Sequence, residues 1–225
     1  MNTADKNPEY KKIYQFVKAK LESTGHFNYG PFDETYYTLR AYESAKDIIR
    51  KLNRKVKRQQ LLVAAILHDV GKSKLQPSKL FSRKEILEHA GEEWHRHAEL
   101  GVPIAKALLK KLGHSGEFIE EVCYLIEHHD QRGDKLKQRT LELKILQDAD
   151  LIADIGFAGF IRPFLFSGKF GRTVIESIQF VLKEDRTKDG ELLNLNVSKS
   201  LARERMKQQA ALAKQMAKEI DSDLI

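Results

Sequence analysis

The sequence of 225 residues has few of the features that mark secreted, repetitive or multidomain proteins. It contains a single cysteine, Cys123, so no disulfide can form within the chain, and this usage fits a reducing compartment. It has no segment rich in Ser, Gly and Pro that would serve as a linker, and no internal repeat. These absences predict a single domain over residues 1–225, long enough for one substantial core.

Long apolar runs are also lacking. The longest are residues 61–67 and 155–166, and Arg162 and Pro163 interrupt the second. Neither run could span a bilayer, which needs about 20 apolar residues. The first twelve residues, MNTADKNPEYKK, lack the apolar core of a signal peptide. We therefore predict a soluble, cytoplasmic protein with no membrane partner.

Acidic residues are fewer than basic ones, and the imbalance is uneven. The chain has 39 Lys and Arg against 32 Asp and Glu, for a net charge of +7. Residues 46–58 carry seven basic side chains and one acidic one, Asp47. Such a run is usually the solvated face of an amphipathic helix, and no aromatic residue within it could stack on bases. The charge favours anionic ligands, but nucleic acid is not an expected partner.

Apolar residues recur at helical spacing along most of the chain, and no strand pattern has useful length. The sequence therefore predicts an all-α fold, a helical bundle. A last long helix is predicted from Ser198, with an apolar stripe at spacings of four and three. The stripe consists of Ala202, Met206, Ala210, Ala213, Ala217 and Ile220. This helix must pack on the core or on another chain, which makes a homodimer a candidate assembly.

The segment LLVAAILHDVGKSKL, residues 61–75, is the centre of the predicted bundle. A helix that is apolar on all sides belongs in the interior. Such a helix should not end in the pair His68 and Asp69 unless something satisfies those polar groups. An imidazole nitrogen and a carboxylate oxygen can both bind one cation. Lys72, just beyond Gly71, is then a candidate partner for an anion.

Other His and Asp residues stand in similar positions, each beside an apolar run. His97 opens a predicted helix, His128 and His129 close another, and Asp150 lies late in a third. Packing of the bundle could bring them to one place. Histidine and carboxylate ligands from facing helices suit divalent transition metals or magnesium. Such a site can lower the pKa of bound water and hold a phosphoryl group for hydrolysis.

This ordered pattern resembles the HD-domain superfamily of metal-dependent phosphohydrolases. HDVGK at residues 68–72 resembles its His-Asp pair, and HAELG at 97–101 and IEHHD at 126–130 resemble its additional histidine segments. DADLIADIG at 148–156 resembles the segment with the last aspartate, which the spacing to Gly156 assigns to Asp150, with Asp148 second. The resemblance predicts an HD core over about residues 33–160 and a C-terminal helical extension over about 170–225.

The resemblance also implies roles for individual residues. The implied ligands of one divalent ion or two, from among Mn, Mg, Zn, Fe, Co and Ni, are His68, Asp69, His97, His128 and Asp150. The candidate catalytic residues are Asp69 and Lys72. The candidate residues for binding a phosphorylated substrate, with a nucleotide as the expected kind, are Lys72, His129, Arg162 and Tyr37.

One position departs from the family. Its first histidine usually stands in a phrase like HTLRV, whereas here the phrase is YTLRA, with Tyr37 in that position. A phenol is a poor ligand near neutral pH, because its pKa is about 10. The sequence leaves three outcomes open: a site kept by His68, Asp69, Asp150 and water; a metal shifted toward His97 and His128; or no metal. His26 is a further candidate substitute.

The sequence supports three hypotheses about the function. The leading hypothesis is a metal-dependent phosphohydrolase, a phosphomonoesterase or phosphodiesterase acting on a nucleotide or another small phosphate ester. The HHDQRGDK segment lacks the GYP signature of cyclic-dinucleotide phosphodiesterases, which argues against that branch. The second is a non-catalytic module that binds a nucleotide or a partner protein, as Tyr37 suggests. The third is a basic helical protein that binds nucleic acid through residues 46–58.

Overall fold

The computed structural model describes residues 7–24, 34–75, 95–131, 139–183 and 192–223. Within these residues the chain forms helices and no strand, so the predicted all-α class is confirmed. In chain order, the helices are α1 (Pro8–Glu22), α2 (Glu34–Lys51), α3 (Arg58–Leu67), a 3-10 helix (Val70–Lys74), α4 (His97–Lys111), α5 (Gly116–His128), α6 (Leu141–Ala153), α7 (Phe157–Phe170), α8 (Val174–Lys183) and α9 (Asn196–Asp223).

Several helices begin at residues whose side chains satisfy the free backbone N–H groups of the first turn. The Asn7 side chain accepts a hydrogen bond from Glu9 N ahead of α1. Ser115 accepts one from Phe118 N at α5, and Thr140 accepts one from Leu143 N at α6. Such caps contribute about 1 kcal/mol each. The sequence therefore fixes where α5 and α6 begin, and hence where His129 and Asp150 fall.

The helix α3 is the buried centre of the bundle, as predicted. Each residue from 61 to 67 is at most 2% exposed, and α3 packs against α1, α2, α5 and α6. Burying a large aliphatic side chain stabilises the fold by about 1.5–3 kcal/mol. The helix ends at Leu67, so His68 and Asp69 lie buried in the turn between α3 and the 3-10 helix.

A glycine allows α4 to approach this turn closely. A Cβ atom at Gly71 would lie 1.9 Å from His97 O and 2.5 Å from Gly101 N. No side chain fits in that space, so any other residue at Gly71 would push α4 away. The contact brings the first residue of α4, His97, against the turn that carries Asp69.

The last helix packs on the same chain. Asp148 accepts hydrogen bonds from Asn194 N and Leu195 N, at 2.7 and 2.9 Å, which fixes the segment before α9. Ala202 and Ala213 are buried as the predicted stripe requires, but Ala210 is exposed and Gln209 is buried instead. Gln209 Oε1 accepts a hydrogen bond from Gly156 N, so a polar contact replaces the expected apolar one. No helix in the described part of the chain is both long and apolar enough for a bilayer.

Candidate metal centre

Four elements contribute side chains to one buried cluster. The turn after α3 supplies His68 and Asp69, α4 supplies His97, the end of α5 supplies His129, and α6 supplies Asp150. The four residues other than Asp150 are at most 4% exposed. Tyr37, from α2, lies beside them. The packing of the bundle thus brings together most of the dispersed residues that the sequence singled out.

Asp69 is the centre of the cluster. Its Oδ2 lies 3.2 Å from His68 Nε2, and its Oδ1 lies 3.3 Å from His97 Nε2 and 3.8 Å from His129 Nε2. Asp150 Oδ1 lies 3.4 Å from His68 Nε2. One ligand atom from each of His68, Asp69 and His129 lies within 4.8 Å of the others. This spacing is close enough for the three atoms to bind one metal ion.

Backbone carbonyls orient two of these imidazoles. His68 Nδ1 lies 2.9 Å from Ala65 O, and His129 Nδ1 lies 2.6 Å from Ile126 O. Because a carbonyl only accepts, each Nδ1 carries a proton, and each ring directs its Nε2 toward the cluster. Metal-binding histidines are commonly oriented by such a contact.

His68 Nε2 is buried and has no hydrogen-bond partner among the described residues, although two carboxylates lie near it. A lone pair that faces carboxylate oxygens is repelled, unless the nitrogen is protonated or a cation lies between them. The residues present therefore fit a divalent cation, with His68, Asp69 and His129 as ligands.

The ionisation of the cluster without metal supports this fit. Burial alone would lower the pKa of His68, but Asp69 and Asp150 outweigh it and raise that pKa to about 10. Burial, together with His68 and His97, lowers the pKa of His129 to about 4. The carboxylates thus hold one proton on His68 at neutral pH, where a metal ion would displace it.

The assignment of the two adjacent histidines from sequence is corrected. His128 was predicted as a metal ligand and His129 as a substrate contact. The His128 ring instead contacts Tyr124 and its Nδ1 lies 3.1 Å from Gln131 Oε1, so it points away from the cluster. His129 faces Asp69, because successive side chains on a helix diverge by about 100°.

Tyr37 lies beside Asp150 in the cluster. Its hydroxyl oxygen is 2.7 Å from Asp150 Oδ1 and 2.8 Å from Asp150 O. Burial and the nearby Asp150 charge raise the pKa of Tyr37 well above its usual value, so the phenol is neutral and donates to Asp150. The aspartate preferred from sequence lies at the cluster, whereas Asp148 is bound to Asn194 and Leu195.

Lys72 and Arg162 are both paired with carboxylates. Lys72 Nζ lies 2.8 Å from Asp69 Oδ2 and 3.0 Å from Glu34 Oε2. Arg162 donates to Glu34 Oε1 and to Asp154 Oδ1, both at 2.8 Å, and its guanidinium lies 4.1 Å from the centroid of the Tyr37 ring. Glu34 therefore bridges the two cations that were predicted to bind substrate.

Sequence reasoning missed Glu34, which is 2% exposed. One signal was available, since Glu34 precedes Tyr37 by three residues and so shares its face of α2. Among the remaining histidines, His95 is exposed and lies 2.8 Å from Asp130. The candidate His26 lies outside the described residues, as does His89.

A search of curated proteins found no match. Bacillus subtilis YpgQ, solved in complex with ADP, is 22% identical with a TM-score of 0.64, and 94% of this chain and 97% of that one are covered. An HD-superfamily hydrolase from Bacillus thuringiensis is also 22% identical, with a TM-score of 0.60, covering 95% and 97%. These similarities show a shared fold.

The sequence itself carries the family signature. The HD domain profile matches residues 36–154, more than half of the chain. The matched range begins in α2, just before Tyr37, and ends one residue after α6. It contains His68, Asp69, His97, His129 and Asp150. The chain belongs to the HD-domain family.

Proposed function

We propose that this protein is a metal-dependent phosphohydrolase that acts on a nucleotide or another small phosphate ester. The observation that carries the proposal is the buried convergence of His68 Nε2, His129 Nε2 and the Asp69 carboxylate. Both imidazoles are oriented by backbone carbonyls, and this arrangement is costly to bury unless a cation binds there.

Each residue has a defined part in this proposal. A divalent cation supplies Lewis acidity toward phosphoryl oxygens and lowers the pKa of water. His68, Asp69 and His129 would hold it, and His97, whose Nε2 lies 3.1 Å from His129 Nε2 and 3.3 Å from Asp69 Oδ1, would orient these two ligands or hold a second ion. Tyr37 donates a hydrogen bond to Asp150 and so occupies its Oδ1. Nitrogen ligands beside carboxylates favour Mn, Fe, Co, Ni or Zn over Mg.

The substrate class rests on charge and on one structural neighbour. YpgQ was solved with ADP, and its fold covers nearly all of this chain. The net charge of +7 favours an anionic substrate. Lys72 and Arg162 reach a phosphate only if one of them exchanges Glu34 for it, because both are paired at present. A cytoplasmic location and a homodimer remain predictions.

A second candidate is a non-catalytic module that binds a nucleotide or a partner protein. Tyr37 favours it, since a neutral phenol occupies Asp150 Oδ1, an oxygen that could otherwise bind a metal. The two candidates differ in whether the protein hydrolyses a bound nucleotide and releases phosphate. The basic run at residues 46–58 gains no support as a nucleic-acid surface, because Lys46, Arg50 and Lys57 lie against carboxylates.

The test measures metal and turnover separately. Protein purified without chelator is analysed for metal by inductively coupled plasma mass spectrometry, beside the double variant His68→Ala, Asp69→Ala. We expect about one or more ions per chain, lost in the variant. Because magnesium dissociates readily, an empty preparation is soaked in manganese and measured again. Loaded protein is then assayed for phosphate and pyrophosphate release from nucleoside mono-, di- and triphosphates.

Each result has a separate meaning. Metal with turnover supports the hydrolase, and metal or nucleotide binding without turnover supports the second candidate. Protein that stays empty after the manganese soak contradicts the hydrolase proposal.

A further inference from the structure

Arg172 is a buried arginine outside the metal centre. Gly171, with a left-handed φ of 77°, ends α7, and Arg172 N then donates to Ser167 O at 2.8 Å. The residue is 6% exposed. Its guanidinium carbon lies 4.9 Å from the centroid of the Phe180 ring, so the side chain lies along α8.

This guanidinium has no hydrogen-bond partner in the described part of the chain. All three nitrogens, Nε, Nη1 and Nη2, are buried and unsatisfied, and so is the hydroxyl of nearby Ser167. An arginine has five N–H donors and stays charged in proteins. An uncompensated buried charge is strongly destabilising, and an aromatic face offsets only part of that cost.

The acidic side chain near Arg172 is engaged elsewhere. Glu176 Oε2 accepts hydrogen bonds from Thr173 N at 2.7 Å and from Thr173 Oγ1 at 2.9 Å, which caps the start of α8. Glu176 acts on Arg172 through its charge, but no guanidinium nitrogen of Arg172 is hydrogen-bonded to it. Within the described residues, the turn therefore presents hydrogen-bond donors without a matching acceptor.

The chemistry of these groups defines the class of ligand that matches them. A guanidinium offers parallel N–H groups that match two oxygens of one phosphate, and a hydroxyl can donate to a third. We propose that Arg172, with Ser167, binds a phosphate group, free or carried on a small molecule, at the α7–α8 turn. Residues 162 and 170 of α7 are separated by roughly 12 Å of helix, so this site is distinct from the metal centre.

The test uses full-length protein stripped of metal with a chelator, so that phosphate cannot bind through the metal. Thermal unfolding is followed while inorganic phosphate replaces chloride at constant ionic strength, and phosphate binding is measured by titration calorimetry. The variants are Arg172→Met and Arg172→Lys. The matched control is Arg203→Met, which removes an exposed arginine from α9.

We expect phosphate to raise the melting temperature of the parent protein and of Arg203→Met. Arg172→Met should lose that shift and bind phosphate at least about tenfold more weakly. Arg172→Lys should keep part of the shift, because lysine retains the charge but lacks the parallel N–H donors of a guanidinium. Without phosphate, Arg172→Met should be at least as stable as the parent, because it removes an uncompensated charge.

Two results would overturn the inference. One is an equal phosphate shift in Arg172→Met and the parent. The other is a large loss of stability of Arg172→Met in phosphate-free buffer with no phosphate effect on the parent, which would mean that the guanidinium is paired within the protein. Neither result depends on metal content or turnover, so this site and the proposed phosphohydrolase can fail separately.

Discussion

Arg162 lies within α7 and Arg172 lies just beyond its end, yet their surroundings are opposite. Arg162 donates to two carboxylates, those of Glu34 and Asp154. Arg172 is 6% exposed and has no hydrogen-bond partner for its guanidinium among the described residues. Burial would lower the pKa of either arginine. Asp154 and Glu34 reverse that effect at Arg162, whereas Glu176 does not at Arg172.

The difference shows which charges belong to the fold and which need a ligand. Around the metal centre, acidic and basic groups alternate from Asp154 through Arg162, Glu34 and Lys72 to Asp69. Each cation there has two carboxylates, and the group without a hydrogen-bond partner is His68 Nε2, which faces carboxylates. At the α7–α8 turn the unsatisfied groups are donors. The chemistry of the first region therefore matches a cation, and that of the second matches an anion.

The largest expected effect comes from making Arg162 resemble Arg172. In the parent protein, Lys72 and Arg162 each donate to a different carboxylate oxygen of Glu34. Glu34→Gln removes the negative charge and leaves only one oxygen that can accept a hydrogen bond. Breaking a buried ion pair costs about 3–5 kcal/mol, and the retained amide oxygen puts this variant near the lower value. Urea denaturation of the metal-free protein measures the loss.

Glu43→Gln is the matched control on the same helix. Glu43 pairs with Lys46 at 3.1 Å, but its side chain is 50% exposed, so its loss should cost under about 0.5 kcal/mol. Equal losses in the two variants would mean that Glu34 contributes no more than a surface ion pair. The pairing of Arg162, which Arg172 lacks among the described residues, would then contribute little to the stability of the protein.

A smaller effect is expected from the adjacent histidines. His129→Ala removes a nitrogen that faces Asp69, and we expect metal affinity to fall by about 10–100-fold. His128→Ala removes a ring that contacts Tyr124 and does not bind the metal in this proposal. Its metal affinity should therefore remain within about twofold of the parent. Titration of metal-free protein with Mn²⁺ or Co²⁺ measures both. A greater loss in the His128 variant would restore the assignment made from sequence.

The sequence predicted the helices and the order of the chemical segments, because both depend on local patterns. The unbroken apolar run of residues 61–67 identified the buried α3. His68 and Asp69 could be placed at the site because they follow a fully apolar helix. Asp150 could be placed by its spacing to Gly156.

What the sequence did not reveal depends on orientation and pairing. His128 and His129 differ only in which side of a helix end they face, and packing against α4 decides that. The bridge by Glu34 could not be predicted, because it joins α2 to residues far away in sequence. Arg172 was not singled out at all, since an arginine after a helix end is ordinarily exposed.

The smallest effect concerns Tyr37, where a neutral donor meets a carboxylate. Tyr37→Phe removes the hydroxyl that lies 2.7 Å from Asp150 Oδ1 but keeps the ring beneath Arg162. Because Asp150 is 14% exposed and water can replace the donor, we expect a loss of about 1 kcal/mol in unfolding free energy. Tyr36→Phe, at a residue that is 42% exposed, is the control and should change little. Since the phenol competes for an Asp150 oxygen, Tyr37→Phe should also bind Mn²⁺ no more weakly than the parent. Weaker binding would mean instead that Tyr37 holds Asp150 in place for the metal.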